Sequence, residues 1–497
     1  MMMQYLDKRV NILLAVAFIV QMLTAWHTFF FHSDEYFQVI EFTSYKLGIS
    51  PASMLPWEFK EQIRPSIQPY IFKAVYLFFA SFGIKDRFFI FAMVHIGVGI
   101  VGFALCNYLL ISKFKKEKYL FHLLLIANFL GLVPFLRSSF SAETMGGLSL
   151  LLSILLLEKT MQEKSKAAWA IASGLCMGFC FFFRFPMAAA LVGILVWIAI
   201  NHIKKWDKIL LIGLGFAVGC AFNIYLDTRF YGNFCFTPYN YFYANIIQGK
   251  AAGFGTSPWW YYIPILAAVA VPLLSLFLFG LMVKSLANYK NPYSLAILFL
   301  IVGHSLIGHK EERFLFPVLF FMVYLAGDAY RNSVKTQAFI ANMWGNKQWG
   351  WLVKGGIGFS AIVNLIVVVL LCITPFKQPM EFIKKINSDF PYPQQEIFCY
   401  KQSPYTTESN LPYHFLAEDK LKFTILPDKA SFLAALASSK KPVYYCLKYE
   451  DAAQDGFPQL IENKKGIVSS SIVWWFTNWV GSTFHGYIQD IWLLASY

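Results

Sequence analysis

Charge is scarce in this chain. Only 14% of its 497 residues are Asp, Glu, Lys or Arg, against about a quarter in an ordinary soluble domain. That excludes a soluble protein of this size. Acidic residues are the scarcer sign, 28 against 42 lysines and arginines, for a formal net charge of +14. Because the basic residues gather between apolar runs, the excess reads as a topology signal rather than a nucleic-acid surface. Metal-ligand spacing of the HExxH kind is missing. The closest cysteine pair, CMGFC at 176–180, has three intervening residues within an apolar stretch, where packing is the expected use. There is no Asn-x-Ser/Thr sequence, no tandem repeat and no low-complexity tract.

Long apolar runs are abundant instead: 57% of the chain is hydrophobic and 19% is aromatic. Several runs reach the roughly 17–25 residues that cross a bilayer as a helix. The first follows Lys8 and Arg9 and is too long for a signal-peptide core, so it is expected to stay as an anchor running outward. Residues 69–84 are short and interrupted, which predicts an interfacial or re-entrant segment. Alternation from there places KFKKEK (113–118), EKTMQEKSK (158–166), NHIKKWDK (201–208), KSLANYKN (284–291) and DAYRNSVK (328–335) inside. The lysine-rich connectors thus share one face, as the positive-inside rule requires. The loop at 32–68, RSSFSAE (137–143), RFP (184–186), the loop at 227–258 and HKEERF (309–314) share the other.

The expected architecture is a polytopic α-helical membrane protein of about eleven spans. Residues 1–374 form its membrane part and 375–497 an external tail. In that tail an extended run, an amphipathic stretch from Asp428 and a second extended run predict a small α/β domain. Cys399 and Cys446 lie in it and would pair in an oxidising compartment. WWFTNWVGSTF (474–484) suits a lipid interface, where tryptophan is favoured.

The outer face carries the chemistry-bearing residues. HSDEYFQVIE puts Asp34 and Glu35 at the membrane edge beside His32. A carboxylate held there can serve as a general base toward a hydroxyl; the same pattern also suits an acidic first helical turn. PWEFKEQIRPS adds Arg64, while Arg137 and Arg184 sit at run ends, suited to lipid phosphate or substrate phosphate. The aromatic, glycine-punctuated loop after Asp227 has the character of a binding loop or lid. His309, Lys310 and Arg313 offer a phosphate clamp. A collar of mutually paired residues, or a metal site drawing on His309, Glu311, Glu312 and the Asp34–Glu35 pair, is the competing use.

Taken in order, HSDEYFQVIE, PWEFKEQIRPS, RSSFSAE, RFP, DTRFYGNFCFTPYNYFYAN, GFGTSPWWYY and GHKEERFLFP resemble the Alg9-like mannosyltransferases over most of residues 20–325. HSDE is similar to the family's HPDE-type first-loop motif, with Ser33 in the proline's place. The resemblance implies a GT-C glycosyltransferase fold. It also implies inverting transfer of mannose from polyprenyl- or dolichyl-phosphate mannose to a lipid-linked glycan or glycolipid. Asp34 would be the catalytic base, assisted by Glu35, with His309, Lys310 and Arg313 near the donor phosphate. Candidate substrate-binding residues on the matching segments are Arg64, Arg137, Glu143, Arg184, Tyr231 and Asn245. No metal and no cofactor besides the lipid-phosphate donor are expected. The alternative class, a transporter or flippase of a lipid-linked or anionic substrate, calls for ionisable residues near the centres of the spans. Here they collect at one face. The missing glycosylation sequence favours a bacterial inner membrane, with the endoplasmic reticulum membrane as the alternative.

Overall fold

The computed structural model describes residues 7–27, 33–268, 272–348, 350–373, 395–401, 415–416, 421–438, 444–448, 451, 454–456 and 492–496. The stretch WWFTNWVGSTF and His32 lie outside the described residues. Described helices of ten residues or more are α1 (Lys8–His27), α2 (Ile67–Ser81), α3 (Arg87–Phe114), α4 (Leu120–Phe129), α5 (Ala142–Thr160), α6 (Ala167–Phe183) and α7 (Ala188–His202). They continue with α8 (Trp206–Tyr231), α9 (Pro272–Leu286), α10 (Pro292–Leu306), α11 (Phe316–Arg331), α12 (Val334–Gly345), α13 (Gly350–Ile373) and α14 (Lys429–Ser438). The strands are β1 (Gln395–Tyr400), β2 (Leu421–Leu426), β3 (Tyr444–Lys448) and β4 (Trp492–Ser496).

Six described helical stretches are long and apolar enough to cross a membrane: α1, α3, Phe185–His202 containing α7, α8, Glu312–Arg331 containing α11, and α13. The other runs expected to span are helical too. Of these, α4, α6, α9 and α10 have 10 to 17 residues. The 19-residue α5 carries Glu143, Glu158 and Lys159. Residues 69–84 fall largely on α2, whose 15 residues are short for a full crossing.

The chain divides into two compact units. One comprises Met1–Thr28, Lys60–Tyr70 and Met93–Ile373; the other comprises Phe29–Phe59, Ile71–Ala92 and Thr374–Tyr497. In the first unit α11 is apolar nearly all round and buried on almost every side, as a central helix must be. Helices α6 and α8 approach backbone to backbone. A Cβ on Gly174 would lie 1.9 Å from the Ile212 carbonyl oxygen, and one on Gly215 would lie 2.1 Å from that of Ile171. Gly178 and Gly219, four residues further along each helix, also meet across this seam. The paired G-x-x-x-G spacing lets dispersion contacts replace the hydrophobic drive that is absent between helices in lipid.

The second unit holds a four-stranded sheet in the order β2-β1-β3-β4, with β1 parallel to both neighbours and β4 antiparallel to β3. The expected strand, helix and strand are β2, α14 and β3. Asp428 ends the turn before α14 by accepting the Ser431 backbone N–H at 2.9 Å. Phe432 of α14 packs on Tyr400 and Tyr445 of the sheet. Cys399 and Cys446 face each other in register on β1 and β3, their buried sulfurs 3.0 Å apart.

Also within this unit, residues 415–416 dock on the segment that follows Asp34. The Phe415 N–H donates to Glu41 at 2.9 Å, and the Leu416 N–H to the Tyr36 hydroxyl at 3.3 Å. Arg87 donates to the Phe415 carbonyl at 2.7 Å and lies over its ring, with Phe72 edge-on.

Candidate active site

Helix α5 starts with its N-cap: Ser141 Oγ accepts the Thr144 N–H at 3.3 Å. This sets Glu143 in the first turn, where the helix dipole favours an anion. Helix α6 ends at Phe183 because Pro186 cannot continue it, and Arg184 takes an extended conformation, φ −155° and ψ 108°. That turn brings the Arg184 guanidinium to 2.9 Å from Glu143 Oε1. Arg313, from the 3-10 turn before α11, reaches the same oxygen at 3.5 Å. All three residues are buried, so one carboxylate is shared by two guanidinium groups out of reach of water.

The Phe314 ring is the common wall. Arg184 stacks on it at 4.5 Å and Arg313 at 5.5 Å, while His304 and His309 each pack at 5.8 Å. Arg313 Nε also donates to Glu311 Oε2. His309 lies between two acceptors, the Gly255 carbonyl at 3.0 Å from Nδ1 and Glu311 Oε1 at 2.9 Å from Nε2.

Residues 249–262 strap over this group. Gly249 and Gly255 take positive φ, +70° and +98°, and the Ser257 N–H donates to the Gly308 carbonyl at 3.0 Å. Lys310 closes the strap from the other side, donating to the carbonyls of Ser257, at 2.9 Å, and of Ile307. Tyr261 donates to Glu312 at 2.7 Å. Glu143, Arg184, His309, Lys310 and Arg313, drawn from three separate segments of the sequence, are thus assembled around one ring and one strap.

A second group gathers Arg64, Tyr231 and Asn245. The Tyr231 hydroxyl donates to the Arg64 carbonyl at 2.7 Å, and the Arg64 side chain lies 6.0 Å from the Tyr241 ring. Asn245 donates to the Tyr241 carbonyl at 3.0 Å, and Tyr241 packs on Phe185 next to Arg184. Buried Asp227 fixes the group. It accepts from the Ser66 N–H and Oγ–H at 2.7 Å each and from Thr237 at 2.6 Å.

Arg137 joins neither group. It is fully buried, donates to Asn128 at 2.9 Å and makes no ion pair among the described residues. Gly102 makes room for it, since a Cβ there would lie 2.9 Å from the Arg137 carbonyl oxygen. Asp34 and Glu35 belong to the other unit, in the short helical turn Ser33–Glu35 that runs into a π-turn, Tyr36–Ile40. Glu35 is buried and Asp34 half-buried.

Asp227, Tyr241, Tyr262 and His304 are the residues that sequence reasoning passed over. Asp227 and His304 did carry a signal, each being a polar residue at the outer end of an apolar run.

In comparisons with known proteins, the chain is similar over 306 residues to GPI mannosyltransferase 3 of Candida albicans, at 28% identity, covering 61% of this chain and 60% of that protein. It is 25% identical over 321 residues to GPI alpha-1,2-mannosyltransferase 3 of Bos taurus, covering 62% of this chain and 56% of that one. The chain therefore spans about 60% of the length of such relatives. The fold is shared with ArnT from Cupriavidus metallidurans, solved bound to undecaprenyl phosphate, with a TM-score of 0.57 at 11% identity over 98% of this chain and 97% of that one. The expected GT-C architecture is the one found. The profile of one family matches residues 11–401, most of the sequence, and on that extent the chain belongs to the Alg9-like mannosyltransferase family.

Proposed function

We propose that the chain is an inverting α-mannosyltransferase. It moves a mannosyl residue from polyprenyl- or dolichyl-phosphate mannose to a hydroxyl of a lipid-linked glycan or glycolipid. The carrying observation is the cation cluster built on Glu143: two buried guanidinium groups and a doubly hydrogen-bonded histidine, held rigid beneath a strap. Such a group is preorganised for a phosphate, since fixed cations stabilise departing charge without reorganising. The names of the relatives support mannosyl transfer, and the lipid phosphate bound to ArnT supports a ligand of that class for the fold.

In this reading Asp34 removes the acceptor hydroxyl's proton as the oxygen attacks the anomeric carbon, with Glu35 orienting it. The carbon–oxygen bond to phosphate breaks on the opposite side, and the configuration inverts. The lipid phosphate leaves already ionised, so no second carboxyl need protonate it, unlike inverting glycoside hydrolysis. Arg313 and His309 receive its charge, and Lys310 holds the strap closed while adding positive potential. Arg64, Tyr231 and Asn245 serve the acceptor side, where the loop at 227–258 is anchored. Residues 1–374 are the catalytic part, and 375–497 lie on the outer face, opposite the lysine-rich connectors. The membrane is a bacterial inner membrane or that of the endoplasmic reticulum.

The test is transfer from polyprenyl-phosphate mannose to glycolipid acceptors by purified protein in detergent. Asp34→Asn is expected to lose on the order of 10²- to 10⁴-fold in turnover while still binding the donor. Equal rates in wild type and variant would remove Asp34 from the mechanism. No transfer from any prenyl-phosphate sugar would sink the activity itself.

A further inference from the structure

Behind the cation cluster, buried polar atoms converge without being satisfied. Arg184 uses Nη1 for Glu143, but its Nε–H has no hydrogen-bond partner among the described residues. His304 Nε2 is likewise unsatisfied among them, and the Tyr262 hydroxyl, which has the Glu311 backbone N–H beside its oxygen, has no acceptor for its own proton; both side chains are almost fully buried, at 2% and 1% exposure. Their rings are 6.5 Å apart, and His304 and Arg184 share the Phe314 ring as a wall. Buried polar atoms are nearly always hydrogen-bonded, so a group of orphans marks a place for something else.

The tautomer of His304 says what. Its Nδ1 is 2.9 Å from the Leu300 carbonyl, which can only accept, so Nδ1 carries the proton. In the neutral ring Nε2 is then a bare acceptor. An acceptor beside the Arg184 Nε–H donor repels a phosphate oxygen, which has no proton to offer. The pair suits a group that both gives and takes a hydrogen bond, namely an alcohol hydroxyl. The Tyr262 hydroxyl adds a second donor, its oxygen lying beside the Glu311 backbone N–H.

We infer that Tyr262, His304 and the Arg184 Nε–H form a hydroxyl-binding subsite for the sugar being transferred. It is distinct in chemistry from the phosphate-holding face of the same cluster. The inference rests on the proposed donor class.

The experiment measures the affinity of the full-length protein in detergent for two probes, short-chain prenyl-phosphate mannose and the same prenyl phosphate without sugar. Wild type is expected to bind the mannosylated probe more tightly. Tyr262→Phe removes only the hydroxyl and is expected to shrink that gain roughly 3- to 10-fold, the worth of one hydrogen bond. Affinity for the bare prenyl phosphate stays unchanged, which also shows that the variant is folded. His304→Gln gives the second reading and is expected to behave in the same way.

An unchanged sugar gain in both variants would mean that the orphaned atoms hold only water, and the subsite is lost. Equal weakening for both probes, or no sugar gain in wild type, overturns it too. If the gain behaves as expected but wild type transfers nothing, the proposed reaction fails and the subsite stands.

Discussion

Glu143 is the anion on which two buried cations depend. Replacing it by Gln keeps the shape and leaves Arg184 and Arg313 facing an uncharged amide. Breaking a buried pair in this way costs about 3–5 kcal/mol, so Glu143→Gln should melt well below wild type in detergent and lose transfer. A variant that melted like wild type would show the pair to be solvated. Glu41 works in the opposite sense. Burial raises its carboxyl above the ordinary 4.5, outweighing the hydrogen bonds from Phe415 and Ser50. The neutral form is favoured in the fold, so the stabilisation is full below the unfolded carboxyl's pKa and fades as pH rises through the raised native one. Melting curves from about pH 4 to about pH 8 should lose this slope in Glu41→Gln; an identical slope would refute it. At this scale the polar cluster of His309, Lys310 and Arg313 stands out in the sequence, because ionisable residues crowded at a membrane edge call for a reason. Arg137 read the same way locally, yet it is enclosed by Asn128 and Gly102. Burial depends on partners distant in sequence, which a local motif does not contain.

Helices α6 and α8 carry an anchor of each residue group, Arg184 just past one and Asp227 near the end of the other. Their alignment depends on the glycine seam. Gly215→Ala would drive a methyl group into the Ile171 carbonyl, an overpacking of about 1–3 kcal/mol. Gly213→Ala on the same helix meets nothing within 4 Å and is the matched control. Thermal stability should fall for the first and not for the second; equal behaviour would deny the seam. The sequence displays both G-x-x-x-G runs, but which helix each faces is a tertiary fact. The α/β order of the tail was readable, because alternating extended and amphipathic runs carry their own period. The pairing of β1 between β2 and β3 was not, since strand order is set by contacts between segments rather than within them.

For the molecule as a whole, family and fold followed from an ordered set of segments more than from any one of them. Two expectations belong at this scale. The chemistry assigned to Asp34 and the cation cluster requires no metal, so transfer should be undiminished in EDTA; a loss restored by a divalent cation would redirect the mechanism. Cys399 and Cys446, in register on parallel strands, should be recovered as a linked pair by non-reducing peptide mapping of native membranes. Free thiols would argue for a reducing compartment and against an outer-face tail.

The docking of Phe415 and Leu416 on Glu41 and Tyr36 also sets an order of events in synthesis. Glu41 leaves the ribosome 374 residues before its partner Phe415 exists. At about 5–20 residues per second, that gap is on the order of 20–75 s. During that time the segment carrying Asp34 lacks the contacts of Phe415 and Leu416, while the segments of the cation cluster, which lie between residues 143 and 313, are being made. The segment carrying Asp34 and Glu41 therefore gains these contacts only after residue 416 has been made. A nascent or truncated chain that ends before Phe415 lacks the contacts that steady the segment carrying Asp34.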